Sequence, residues 1–327
     1  MPVIRSAQGN DKDKVLRLLN GVFKEQQRSA TMRGDQYWNW KFNSSPFGQS
    51  ILTVAEEEGE IIAVDHLWPW EFNIRGVVHR AYQPCDSVVH PNFRGKHLFK
   101  CLRLYNLDVA RGNSPSFMFN FPNLQSKKAN LSLGWSDMGK IPWLVRIIRP
   151  FSAINGALKS NRTGPVLIDD AYSINVSQLE SLNKEYINYN GFIKPHRRLG
   201  YFEWRYLQHP SRFYGMINVE KGKDSSSAIF TISDNGSYKE MLIVELLGCP
   251  GITQKLLKRA IEIAEKMDVS VLAMMQNCEF DIQSAWRLGF INYKIKGMVV
   301  LPLDLRFEIM LQSFKNWSMF ACLHDSV

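Results

Sequence analysis

An ordered set of short motifs occurs twice in this chain, and it restricts the fold to two similar α/β halves in tandem. Trp38-Asn39-Trp40-Lys41-Phe42 is followed by Pro46, and Phe202-Glu203-Trp204-Arg205-Tyr206 by Pro210, six residues beyond Trp40 and Trp204 respectively. A strand with a charged turn follows each: Val54 to Glu60 in the first half, Val219 to Lys223 in the second. Farther on, the amphipathic segment Leu98 to Arg111 corresponds to Ile252 to Glu265. Phe117 to Asn123 corresponds to Val271 to Asn277, and Leu133-Gly134-Trp135 to Leu288-Gly289-Phe290. Repeated order of this kind reads as duplication of one supersecondary unit. The expected division is a first domain over 1–150, a linker region over 151–195 and a second domain over 196–327.

Local patterns fill in the first half. Val3 to Ala7 reads as a strand. Asp11 to Phe23 carries Val15, Leu16, Leu18, Leu19 and Val22 at helical spacing, with Asn10 or Asp11 as cap. Gln36 to Asn43 predicts an aromatic-rich helix. Ser50 to Ala55 and Ile61 to His66 predict strands joined by the acidic turn Glu56-Glu57-Glu58-Gly59, and Trp70 to Ile74 predicts another. Val77 to Val89 extends into a loop. Leu98 to Arg111 is a helix pattern that stops at Gly112, a residue suited to a helix end. Ser116 to Phe121 predicts a strand and Leu124 to Leu131 a short helix. The order gives an α/β (α+β) class, with helices packed on mixed sheets.

Bulk properties narrow the function. The 327 residues are 45% apolar and 22% charged, which is ordinary for a globular chain with a substantial core. The net charge of +9 favours anionic partners. Its densest clusters, Lys127-Lys128, Arg146 with Arg149, and His196-Arg197-Arg198, are short and lack interleaved aromatics, so no nucleic-acid partner is expected. The cysteines at 85, 101, 249, 278 and 322 are odd in number and form no CxxC pair. This argues against a disulfide framework or a zinc site, and no metal is expected. Free cysteines and the lack of an apolar leader at Met1 to Ser6 suit the cytoplasm. Ile141 to Phe151 is too short to span a bilayer and reads as a buried strand or a loop over a cleft.

The segment that carries chemistry is Val89-His90-Pro91-Asn92-Phe93-Arg94-Gly95-Lys96-His97-Leu98-Phe99. A strand passes through a tight turn into a helix. The helix start offers unpaired N–H groups and a partial positive charge to a phosphate. Gly95 allows close backbone approach, and Arg94 and Lys96 add positive charge.

This segment resembles the acyl-CoA-binding motif of the GNAT superfamily of N-acetyltransferases: Arg or Gln, two residues, Gly, one residue, then Gly or Ala. Arg94 takes the first position, His97 stands at the first glycine and Phe99 at the second. The flanking residues resemble "V-H-P-x-[YF]-R-G-K-G-L-F", found in a bacterial branch associated with surface polysaccharide. Phe119-Asn120-Phe121-Pro122-Asn123, Ser126 and Gly134-Trp135 resemble the strand and helix that follow. The second half has Leu246 to Gly251 where the loop should be and lacks the signature.

The resemblance implies two tandem GNAT-like mixed sheets, the first binding acetyl-CoA as co-substrate. Cofactor contacts would come from Val88, Val89, Arg94, Gly95, Lys96, His97, Leu98, Phe99, Asn123 and Ser126, with the backbone of Val88 and Val89 holding the thioester carbonyl. Asp86 and His66 are the candidate catalytic groups. Family members often use a tyrosine as acid on the helix after the fifth strand, and Leu124 to Trp135 contains none. Trp68-Pro69-Trp70 would lie on the acceptor side, where the rings pack in the core or stack on a sugar. The expected reaction moves an acetyl group to a small-molecule primary amine, an amino sugar by analogy. The alternatives are a non-catalytic acyl-CoA-binding protein and a tRNA-dependent aminoacyl transferase on the same duplicated fold.

Overall fold

The computed structural model describes residues 2–25, 33–158, 164–185, 193–234, 236, 238–276 and 282–324. In chain order its elements begin with β1 (Val3–Ser6), α1 (Lys12–Glu25), α2 (Asp35–Trp38), β2 (Ile51–Glu57), β3 (Glu60–Ile74), β4 (Val77–Val89) and α3 (Leu98–Arg111). Then come β5 (Phe117–Asn120), α4 (Leu124–Leu131), β6 (Ser136–Ile147), α5 (Pro150–Leu158), β7 (Gly164–Pro165), α6 (Val176–Glu185) and β8 (Ile193–Pro195). The last are β9 (Gly215–Lys221), β10 (Asp224–Asp234), β11 (Lys239–Gly248), α7 (Thr253–Lys266), β12 (Val271–Met275), α8 (Ile282–Arg287), β13 (Ile291–Pro302) and α9 (Glu308–Leu311). This is a mixed α/β fold with helices on the sheets, as expected.

Contacts divide the chain into two compact units. The first takes Met1–Asn73, Val77–Gly139 and Gly297–Ser313; the second takes Ile74–Gly76, Lys140–Lys296 and Phe314–Val327. The division therefore differs from a single cut near 150, because a late segment returns to the first unit. The expected linker region contains α5, β7, α6 and β8. Its residues 159–163 and 186–192, and Asn277 and Cys278, lie outside the described residues.

In the first unit β1, β2 and β3 are antiparallel, in registers such as Val3↔Glu56 and Val54↔Val64. β4 follows, β5 runs parallel to it, and residues 299–302 of β13 close the sheet antiparallel to β5. Helix α1 lays Val15, Leu18, Leu19 and Val22 on Val54, Ile61, Val64 and Val88. Helix α3 lays Leu98 and Leu102 on Ala55, Ile62 and Ala63. Neighbouring strand residues point to opposite faces, so α1 and α3 cover the two sides of this sheet.

Covering both sides explains one departure from expectation. Ile61 through Trp70 are buried at every position, and β3 runs unbroken across Pro69 where two separate strands were predicted. A strand buried on both faces shows no polar alternation to mark its length. The predicted helix over Gln36 to Asn43 is likewise split: α2 ends at Trp38, and Asn39–Asn43 form a π-helical turn.

The second unit has antiparallel β9, β10 and β11, with β12 parallel to β11 and antiparallel to β6. Helix α7 buries Leu256, Leu257, Ala260, Ile261, Ile263 and Ala264. Its order of π-helical turn (Glu203–Leu207), three antiparallel strands, helix and parallel strand matches that of the first unit.

Candidate active site

The parallel pairing of β4 with β5 is confined to Ala81↔Phe117 and Tyr82↔Met118. β4 continues to Val89 while β5 ends at Asn120, already paired to Val299 on its other side. The two strands part, and the Gln83–Val89 edge of β4 faces a gap. A strand edge without a strand partner can pair with an extended ligand.

At the end of that edge the chain forms a short 3-10 turn at Pro91–Phe93 and enters α3. Asn92 N–H is held by His90 Nδ1 at 3.3 Å, and Arg94 N–H by Pro91 O at 3.3 Å. The first α3 N–H to reach a backbone acceptor is that of Cys101, on His97 O at 3.1 Å. Among the described residues the N–H groups from Gly95 to Phe99 have no protein acceptor. Unpaired N–H groups at a helix start are suited to bind an anion. Arg94, Gly95, Lys96 and His97 are all exposed here. Arg94 Nε lies 3.4 Å from Val89 O, and Lys96 Nζ sits 4.8 Å from the Phe93 ring centre.

Gly95 has φ +82° and His97 φ +57°. The loop therefore needs left-handed backbone at the position where the motif has its first glycine. His97 adopts that geometry, at a cost of about 1 kcal/mol or more for a residue with a Cβ. Val88 and Leu98 are buried in the cores beneath α1 and α3, so only their backbones can face a ligand. Phe99 lies under the Arg103 guanidinium, 5.0 Å away. Asn123 caps α4, accepting the Ser126 N–H at 2.9 Å.

Asp86 also has left-handed backbone, φ +48°, within β4, the mark of a bulge that re-aims side chains. Its carboxylate is nearly fully buried. Lys41 Nζ lies 2.7 Å from it, Arg33 Nη2 3.3 Å, and the Tyr37 hydroxyl donates to it at 2.6 Å. Burial raises the Asp86 pKa, but the two cations more than offset this and hold the carboxyl far below the usual range. His66 is fully buried beside the Cys85 thiol, Sγ to Nδ1 3.0 Å, and stacks near Phe42. Burial and the Lys41 charge push its pKa down to about 3, so it is neutral at ordinary pH.

The structure thus brings Asp86 and His66 together but presents neither as a free base. One is a carboxylate already neutralised by cations, and the other is too weak a base near pH 7. His66, Cys85 and Asp86 place their donor atoms within 4.8 Å of one another. The Lys41 ammonium and Arg33 already occupy the carboxylate, so this donor set does not suit a cation. Trp68 and Trp70 have no exposed surface. Sugar stacking by this pair is corrected accordingly: they are core rings, 5.4 Å apart, and Trp70 Nε1 donates to Gln83 Oε1 at 3.0 Å.

Arg33, Tyr37 and Lys41 were missed in sequence as parts of the site. Their shared four-residue spacing was the available signal, because it recurs as Arg197, Tyr201 and Arg205. In the second unit Arg197 and Tyr206 bind the buried Glu245 carboxylate, and Tyr201 lies 3.5 Å from it. Glu245 stands three residues before the end of β11, as Asp86 does in β4.

Residues 3–136 match the family model described as the acetyltransferase (GNAT) domain. No curated protein matches the sequence. Among solved structures, the chain resembles a GCN5-related N-acetyltransferase from Anabaena variabilis, with TM-score 0.63 and 12% identity over 93% of this chain and 74% of that one. It also resembles a GCN5-related N-acetyltransferase from Kribbella flavida, with TM-score 0.54 and 12% identity over 93% and 72%. A third is Saccharomyces cerevisiae N-myristoyltransferase with bound myristoyl-CoA, with TM-score 0.55 and 12% identity over 92% and 83%. At such identities the likeness speaks for the fold. Over residues 3–136, then, this chain is similar to the GNAT acetyltransferase domain.

Proposed function

We propose that the chain is an N-acyltransferase that moves an acetyl group from acetyl-CoA to a primary amine on a small acceptor, an amino sugar or nucleotide-linked sugar by preference. The observation that carries this reading is the gap between β4 and β5 ending at the open loop Arg94–His97. The loop N–H groups, with Arg94 and Lys96, would take the pyrophosphate. The Gln83–Val89 edge would pair with the pantetheine arm, and the backbone at Val88 and Val89 would polarise the thioester carbonyl. Asn123 and Ser126 would border the arm from the start of α4. The bulge at Asp86 sets the direction of those backbone groups.

Asp86 and His66 would then act without exchanging protons. Asp86 holds Lys41, Arg33 and Tyr37 in place, and neutral His66 fills the space beside them. The Tyr37 hydroxyl donates to Asp86 and is kept protonated by burial and the Asp86 charge, so it belongs to the same positioning network. The second unit, with a buried Glu245 network and no signature loop, would be a diverged copy of the first. The recurrence of the Arg-Tyr-basic trio supports duplication. A cytoplasmic location remains part of the proposal; among the described residues no helix is long and apolar enough to cross a membrane.

Calorimetric titration with acetyl-CoA tests the reading. Wild type should bind, and Arg94→Ala should weaken binding about tenfold, the effect of one lost charged contact. Absence of binding at millimolar cofactor would overturn it. Thiol release with a panel of amino sugars then identifies the acceptor. That neither Asp86 nor His66 is a free base favours a non-catalytic acyl-CoA-binding protein as second reading. Binding without thiol release from any amine would select it.

A further inference from the structure

Below the proposed cofactor gap one buried guanidinium touches both walls. Arg103, on α3, is 1% exposed. Its Nε and Nη2 form two 2.8 Å bonds to the fully buried Asp65 carboxylate on β3. Nη2 also reaches the Ser87 hydroxyl on β4 at 3.3 Å, and Ser87 in turn donates to Asp65. On its other side Nη1 reaches Asn130 Oδ1 on α4 at 3.2 Å. Ser87 belongs to the stretch of β4 beyond its pairing with β5, and α4 is the helix that follows β5.

The two walls of the gap share no strand pairing past Tyr82 and Met118. Their separation must be set by side chains, and this one crosses from one to the other. Asn106, one turn farther along α3, fixes the Asp65 end by donating to its backbone and carboxylate at 3.0 and 2.8 Å. The planar guanidinium presents donors on divergent edges. An ammonium is a point donor and could satisfy Asp65 without spanning to Asn130.

We propose that Arg103 is a positioning residue that sets the width of the gap between β4 and α4, and so determines affinity for the pantetheine arm without touching the reacting atoms. This rests on the acyl-CoA reading above. Asp65 and Ser87 anchor one end of the bridge, and Asn130 the other.

The test compares Asn130→Leu, Asn130→Asp and Arg103→Lys with wild type. Asn130→Leu leaves the Arg103–Asp65 pair intact, so the variant remains folded. It should raise the acetyl-CoA dissociation constant roughly fivefold to tenfold, as expected for a lost bond to a charged donor, with the KM for amine unchanged. Asn130→Asp restores an acceptor and should return affinity to within about twofold of wild type. Arg103→Lys should resemble Asn130→Leu, because charge alone does not span the gap. Hydrogen exchange without cofactor gives a second readout: amides of Gln83–Val89 should exchange faster in Asn130→Leu and Arg103→Lys. Wild-type affinity in Asn130→Leu, or equal loss in Asn130→Asp, would overturn the proposal. If wild type binds no acetyl-CoA the functional reading fails, and the exchange comparison still decides whether the bridge exists.

Discussion

Lys41 Nζ and the Asp86 carboxylate stand 2.7 Å apart, each side chain no more than 3% exposed. The π-helical turn at Asn39–Asn43 delivers the lysine, and the bulge in β4 delivers the aspartate. Removing Lys41 takes away the shortest ion pair to a buried carboxylate and leaves it Arg33, at 3.3 Å, and the Tyr37 hydroxyl. Lys41→Met should therefore destabilise the protein by about 3–5 kcal/mol, and Lys41→Met with Asp86→Leu by less than the sum of the two single changes. Chemical denaturation measures both.

The neutral state of His66 predicts an acid limb in stability. Its pKa in the folded chain, about 3, lies below the ordinary histidine value of 6.5. Between these values the unfolded chain binds a proton that the folded chain does not, so stability falls as pH drops from 6.5 toward 3. The slope for this one group is at most about 1.4 kcal/mol per pH unit. Asp86 and Asp65, whose pKa values are lowered in the fold, add loss of the same sign below about pH 4, where unfolded carboxylates take up protons. Denaturation of His66→Asn across pH 4 to 7 should show a flatter profile than wild type.

The loop before α3 makes His97 a sensitive position. At φ +57°, a β-branched residue is a severe conformational outlier. His97→Val should cost about 1–2 kcal/mol and weaken acetyl-CoA binding. His97→Gly should keep or gain about 0.5 kcal/mol, since relief of strain competes with a freer unfolded chain. Thermal unfolding with and without cofactor separates the two effects.

The Asp65–Arg103 pair makes a parallel prediction in the same unit. Asp65→Asn keeps the shape but removes the charge beneath two guanidinium bonds, and should cost about 3–5 kcal/mol. Asp65→Leu with Arg103→Met should recover much of that loss. A double-mutant cycle by denaturation gives the coupling.

Much of this fold is legible in the sequence because regular periodicity survives where one face meets water. Helices Leu98–Arg111 and Leu124–Leu131 and strand Val77–Val89 lie where the residues predict them. The turn into α3 is legible too, through Gly95, whose φ is +82°. β3 is blurred because both its faces are covered, and the pattern that would have marked Trp68 and Trp70 as one continuous strand is absent. The buried site around Asp86 is hidden for a different reason. Arg33, Tyr37 and Lys41 meet it across about fifty residues of chain, and sequence order carries no sign of such a contact. Only the second appearance of the trio in the other half betrays it.

The return of Gly297–Ser313 to the first unit bears on how this protein is made. β5 needs residues 299–302 as its antiparallel neighbour. A nascent chain that has emerged only as far as residue 150 would display β5 with a bare edge, the kind that recruits other strands. The sheet that holds the loop before α3 can close only after the chain has emerged past residue 302. A fragment cut at the apparent domain boundary should for the same reason aggregate, despite carrying every residue of the loop.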